Sequence, residues 1–279
     1  MPQGISIHIG LNEVDPDQYG GWSGKLNACE ADAGDMERIA TARDFETTTI
    51  LTADATADTV TSAISDAAGN LEEGDILFLS YSGHGGQVPD TNNDEEQDQL
   101  DETWVLFDRQ LVDDELWGLW SQFAAGTRIL VLSDSCHSGS VNREIFNAAV
   151  PHVVQAAMVD TPQPRTKDLP HDVAKQTYEQ NKDLYDGIQK SYPAAETAEV
   201  GASVILISGC QDNQLSLDGD RNGLFTQQVL ATWDDGGWIG SHPRFHQAVG
   251  AKMPPTQSPN YNPVGAQDGA FEEQTPLEI

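Results

Sequence analysis

His84 and Cys136 stand 52 residues apart at the ends of two similar stretches, and they are the residues in this chain best suited to chemistry. Residues 77–86 read LFLSYSGHGG and residues 129–140 read ILVLSDSCHSGS, two apolar runs that each end in a polar turn containing Gly. A thiolate is a nucleophile, and a nearby imidazole can take its proton or hold it as one half of an ion pair. Attack on a peptide carbonyl would create an oxyanion, and each preorganised donor aimed at it is worth ~3–4 kcal/mol. Taken singly, a strand-end Cys is usually a small buried hydrophobe and a His usually structural. Two such turns together, each with Gly to free backbone N–H groups, point to a nucleophile and its base. Cys29 and Cys210 lack a strand-end His, and three cysteines cannot all pair within one chain, so no disulfide framework is expected.

The elements that must position this pair alternate. Residues 5–11 read as a strand, 28–41 as a helix and 47–52 as a strand. Thr56 is a good N-cap for a helix that Gly69 closes. The His strand spans 75–82; an extended piece follows at 103–107, a helix at 113–123, and then the Cys strand. Residues 203–208, SVILIS, form a further strand, with helices at 224–233 and 241–252. Continuous apolar strands between helices imply an α/β fold, a mostly parallel sheet with helices on both faces. In such sheets reactive groups collect just past the carboxyl ends of the strands.

The letters around the pair resemble a known family. SGHG followed by DSCHSG is similar to the metacaspase and bacterial orthocaspase branch of the caspase-like cysteine peptidases, which share a His about 50 residues before the Cys. True caspases carry Gln and Ala before the Cys, where this chain has Asp134 and Ser135. The resemblance covers residues 5–233, strongly at the two motifs. It implies a caspase-like three-layer sandwich and a Cys–His dyad of Cys136 as nucleophile and His84 as base, with the backbone N–H groups of Gly85 and Cys136 as oxyanion donors. It further implies a specificity pocket from Cys29, Asp32, Ser82 and Asp134, Cys29 and Asp32 lying in LNACEADAGDM at 26–36. Two carboxylates at a pocket base select a cation, because a desolvated charge must be paired, so cleavage is expected after Arg or Lys. The plainer alternatives are a helix-face carboxylate for Asp32 and a turn residue for Asp134.

The acidic loop at 90–102 starts like an EF-hand, but Glu95 stands where that motif needs Gly, and helical flanks are missing. Resemblance to calcium-activated metacaspases instead singles out Asp101, Asp113 and Asp114. The family's further Asp after the nucleophile is not matched, Asn142 and Arg143 standing there. Asp113 and Asp114 also suit the first turn of a helix, where carboxylates complement the dipole. Cysteine chemistry requires no cofactor; calcium would be an added ion.

With 14 basic and 45 acidic residues the net charge is −31, which disfavours nucleic acid and anionic membranes as partners and leaves proteins or peptides as substrates. Such a surface fits either a halophilic source or a merely acidic soluble protein. No secretory signal or membrane span is read, so a cytoplasmic location is expected. The 279 residues read as one domain, with a Pro-interrupted insertion at 141–200, containing a helix at 172–190, and a surface-wrapping tail from 254. The insertion holds Arg143, Arg165, Lys167, Lys175, Lys182 and Lys190, each a candidate for self-cleavage by an enzyme that cuts after basic residues. A solvated helix whose lysines offset the acidic surface is the alternative. From a different class, a catalytically silent caspase-like module acting as a scaffold would keep the fold without the chemistry.

Overall fold

A computed structural model describes residues 2–92, 99–136, 165–192, 199–211 and 214–279. Arg143, Asn142 and the first part of the expected insertion lie outside the described residues.

The central sheet has six strands in the order β2-β1-β3-β7-β8-β9. They are β1 (Gly4–Gly10), β2 (Glu46–Leu51), β3 (Ile76–Ser82), β7 (Arg128–Asp134), β8 (Ser203–Ser208) and β9 (Asn260–Gly265). The first five run parallel, and β9 pairs antiparallel to β8. Strands β3 and β7 read as unbroken apolar runs because they are covered on both sides. In β3, Leu77, Leu79 and Tyr81 enter one core while Ile76 and Phe78 enter the other; Ile129 and Val131 oppose Leu130 and Leu132 in β7 in the same way. Helices α2 (Ala57–Asn70) and α3 (Asp113–Trp120) cover the first face. The second face is covered by α1 (Cys29–Thr41), α6 (Leu224–Trp233) and α7 (His242–Gly250), together with α8 (Gly269–Glu273). Thr56 caps α2 as expected, its side chain accepting from the Thr59 amide at 3.2 Å. The mostly parallel α/β sheet with helices on both faces is therefore present.

A second, three-stranded antiparallel sheet, β4 (Gly85–Pro89), β5 (Leu100–Val105) and β6 (Gln110–Val112), grows directly out of the His turn. Only its middle strand was anticipated, as the piece at 103–107. The expected helix at 172–190 is two helices, α4 (His171–Gln180) and α5 (Lys182–Ser191). They meet at Asn181, whose φ of −118° and ψ of 27° leave helical geometry. The stretch after Pro254, expected to wrap the surface, instead supplies β9 and buries Phe271 and Leu277 in the second core. Its Pro263 is tolerated because β9 is an edge strand with one neighbour, where a missing N–H interrupts no second ladder. Among the described residues no helix is long and apolar enough to cross a membrane.

His242, at the start of α7, is fully buried, its Nδ1 donating to the Phe271 carbonyl at 2.9 Å. Burial pulls its pKa down to about 4. The unfolded chain would take up this proton near pH 6.5, so the stability due to neutral His242 is fully present above that value and is lost as pH falls toward 4. Urea titrations across this window should show a shallower pH slope for His242→Gln than for the parent, by ~1.4 kcal/mol per pH unit. Identical slopes would mean that the buried imidazole is not what is titrating.

Candidate active site

Register brings the two motifs together. Ser82 at the end of β3 lies beside Asp134 at the end of β7, so His84 and Cys136 each stand two residues beyond the same rung of the sheet. The approach is close: a Cβ on Gly85 would fall 1.7 Å from the Cys136 carbonyl oxygen, so only glycine fits there. Tyr81 fixes the His turn from below. Its ring stacks on Trp104 at 4.5 Å, and its hydroxyl donates to the His84 carbonyl at 2.6 Å, an oxygen that also receives the Val105 amide at 3.0 Å.

The His84 ring is buried against Trp22 at 4.8 Å, and its Nε2 donates to the Gly24 carbonyl at 2.7 Å. That bond fixes the tautomer and leaves Nδ1 as the lone-pair nitrogen, which has no hydrogen-bond partner among the described residues. Burial pulls His84 down to about 4, the Gly24 carbonyl and Asp168 opposing that shift. The Cys136 thiol is fully buried, donates to the Ser216 carbonyl at 3.6 Å and accepts from the Ser216 amide. Burial, then the neighbouring Cys210 thiol, push its pKa well above the ordinary range. Both groups are thus held neutral in this state.

What fills the cleft is the chain itself. Residues 165–169 run along it in extended form: the Asp218 amide donates to the Arg165 carbonyl at 2.9 Å, and the Lys167 amide to the Ser216 carbonyl at 3.0 Å. Thr166 bridges Leu217 in antiparallel sense, and Asp168 bridges Gly85 in parallel sense. This is strand addition, the way an extended peptide joins an exposed edge. The Lys167 carbonyl accepts from the Gly85 amide at 2.9 Å and from the Cys136 amide at 3.1 Å, the two donors singled out from sequence.

The Lys167 side chain is fully buried and ends among the expected pocket residues. Its Nζ is 3.1 Å from Asp32 Oδ2, 3.0 Å from Asp134 Oδ2 and 2.9 Å from Ser82 Oγ. Ser82 in turn donates to Asp32 at 2.7 Å. Burial and the Asp134 charge push Asp32 up to about 6, against the pull of the ammonium. Lys167 is held well above its ordinary pKa because its carboxylate neighbours outweigh burial. Cys29 borders the same group; burial pushes its thiol up to about 12.

Several partners of these carboxylates lie in no motif that the sequence offers. Asp32 also receives Asn222 Nδ2 and the Gly223 amide, each at 3.0 Å; Asp134 receives Thr226 Oγ1 at 2.8 Å and Ser216 Oγ at 2.7 Å. A Cβ on Gly223 would meet Asp134 Oδ2 and Lys167 Nζ at 2.3 Å, so the loop before α6 seals the pocket only with glycine there. The carbonyls of Gly24 and Ser216 act through backbone alone. Of the expected calcium residues, Asp101 lies on β5 and Asp113 and Asp114 open α3. The pairing of Thr103 with Val112 sets Asp101 and Asp114 at matching distances along β5 and the chain beyond β6. Asp114 accepts from Asn92 Nδ2 at 3.2 Å.

The caspase-domain family model matches residues 14–274. The chain belongs to the caspase-domain family. Metacaspase-1 of Mycosarcoma maydis is 28% identical over 244 residues, 79% of this chain and 59% of that protein. Metacaspase-7 of Arabidopsis thaliana is 31% identical over 146 residues, 49% of this chain and 35% of that protein. The chain thus spans between about a third and three fifths of these relatives' length. Among solved structures, the protein GSU0716 from Geobacter sulfurreducens superposes with a TM-score of 0.86 at 51% identity, covering 100% of this chain and 99% of that one. Caspase-1 from Spodoptera frugiperda, at 10% identity and a TM-score of 0.56 over 95% of this chain and 86% of its own, shares the fold.

With Lys167 in place, Cys136 should react slowly with iodoacetamide at neutral pH. Lys167→Gln removes the cation that ties the segment down, so water should reach the thiol and alkylation should accelerate by at least about tenfold, the effect of one pKa unit. Peptide mapping by mass spectrometry reads the rate at Cys136, and unchanged labelling would show that the segment does not mask it.

Proposed function

We propose that the chain is a cysteine endopeptidase that cuts after Lys or Arg, with Cys136 as nucleophile and His84 as base. The observation that carries this reading is Lys167, whose carbonyl takes both candidate oxyanion donors while its ammonium lies between Asp32 and Asp134. One residue thereby meets both requirements of a cleaved position, a polarised carbonyl and a side chain matched to the pocket. Arg suits such a pocket too, since its fork can meet two carboxylates.

In the reaction, Cys136 Sγ gives its proton to His84 Nδ1 and bonds to the carbonyl carbon. The carbonyl electron pair moves onto oxygen, where the N–H groups of Gly85 and Cys136 receive the charge. Collapse expels the amine, which takes the proton from His84 and leaves a thioester. Water, deprotonated by His84, then cleaves the thioester and restores the thiol. The Gly24 carbonyl supports the imidazolium that forms in both halves.

Lys167 is by the same logic the chain's own first substrate, the bond cut being Lys167–Asp168. Of the candidate basic residues that lie among the described residues, Lys167 is the one whose carbonyl meets both donors. Incubation should yield a fragment ending at Lys167 and another beginning at Asp168, while Cys136→Ala stays whole; mass spectrometry that finds the parent protein intact would defeat this. Against peptides, Cys136→Ala should be inactive, and Asp134→Asn should lower kcat/KM for Lys substrates by roughly tenfold to a hundredfold, the worth of one charge-assisted contact. A preference for Asp over Lys substrates would refute the pocket.

Calcium activation through Asp101, Asp113 and Asp114 belongs to the same proposal. Carboxylate oxygens suit this hard cation, whose role would be to draw Asp101 of β5 and the start of α3 together, since among the described residues no three such groups are yet gathered to hold a metal. Millimolar calcium should raise activity, and Asp113→Ala should lose the response; equal rates in chelator and in calcium would remove the ion from the account.

A further inference from the structure

Leu169 lies two residues beyond Lys167 and is 1% exposed. Its amide donates to the Gly85 carbonyl at 2.8 Å, so it is held by the strand that starts at the His turn. Its side chain packs with Val14, Tyr19 and Val105, beside the partly buried Trp22, Val173 and Ala174. The first four come from the loop after β1 and the end of β5 and the last two from the first turn of α4, none of them from the cleft's pocket for Lys167. The walls are rigid: Tyr19 is fully buried with its hydroxyl donating to the Leu106 carbonyl at 2.8 Å, and Trp22 packs on the His84 ring. The floor is Gly86, where an added Cβ would sit 3.1 Å from Leu169 Cδ2.

We propose that this apolar cup is a second specificity site, which selects an apolar side chain two positions after the cut in peptide substrates. The inference rests on the reading of the cleft as a peptidase site, with residues 165–169 lying as a substrate would. Asp168 points the other way along the strand, as alternation requires, so the cup reads the second residue after the cut and not the first. The occupant is a Leu-sized aliphatic group: the cup offers apolar walls, and a charged or small polar residue there would bury no matching surface. Recognition would then be two-sided, a cation before the cut and an aliphatic group after it.

The test uses internally quenched peptides that span the bond, with Lys fixed before it and Leu, Val, Ser or Asp varied at the second position after it. Leu peptides should exceed Ser and Asp peptides in kcat/KM by at least about tenfold, as expected for burying such a side chain. Cleavage of Lys peptides as a class tests the peptidase reading; their ranking tests the cup, and a flat ranking overturns it. A second arm needs no catalysis. In the Cys136→Ala protein, Leu169→Ser should expose Lys167 to trypsin at least about tenfold faster than Leu169 does, and Leu169→Met should restore protection. Equal trypsin rates for Leu169 and Leu169→Ser would overturn the cup even if the protein proved to have no peptidase activity.

Discussion

The buried ammonium of Lys167 between two carboxylates governs the state of the whole cleft. Asp32 and Asp134 are 1% and 2% exposed, and two anions so placed repel each other and lose their hydration. A cation inserted between them removes most of that cost, so the pocket is matched to a positive guest and poorly suited to standing empty. Hydrogen bonds from Ser82, Asn222, Gly223, Thr226 and Ser216 fix the carboxylates in advance. Under the proposed reading, the charge would select the guest, since those hydrogen bonds already organise the host.

The sheet makes this arrangement attainable. Asp134 and Ser82 share a rung because β3 and β7 are parallel neighbours, and Asp32 reaches them because α1 follows β1, the neighbour of β3 on its other side. Carboxyl ends of three adjacent parallel strands thus converge on one point, as open α/β sheets arrange their ligand sites. The small second sheet does the rest. It begins at Gly85, so the donor to the Lys167 carbonyl is also the first residue of a strand, and its position is as firm as the sheet's.

Much of this was legible before any coordinates. Strands 5–11, 47–52 and 75–82 lie within one residue of those found, and 203–208 coincides with β8. The inner strands are legible because burial on both faces leaves long apolar runs, whereas the half-exposed edge strand ETTTIL shows itself through β-branched residues. His84, Cys136, Asp32 and Asp134 were legible through resemblance, their letters lying in tight motifs. Lys167 was visible only as one of six basic residues, because which of them enters the pocket depends on the path of a loop and not on local letters. Gly24 holds His84 through a carbonyl that every residue possesses, and Ser216 holds the Cys136 thiol through its backbone, so no side chain announces those contacts. Strand β9, with two Asn and a Pro in NYNPVG, lacks strand propensity and forms because β8 offers it an open edge. Asn181 breaks the helix expected over 172–190 in a segment rich enough in helix formers to read as continuous.

Strands β7 and β8 are side-by-side neighbours in the sheet, with six residue pairs in register, yet the chain between them travels out to the cleft and back. That link is long, and the sheet's integrity does not run through it. A break after Lys167 would separate β7 from β8 in covalent terms while leaving their ladder, both cores and the edge strand β9 in place. The protein would become two chains without becoming two bodies, held by the same burial that held one. What such a break adds is freedom for the ends: a strand that was intramolecular, and so effectively at very high local concentration, becomes a departing ligand. Such a cut would change the connectivity of the backbone and leave the architecture around it as it was.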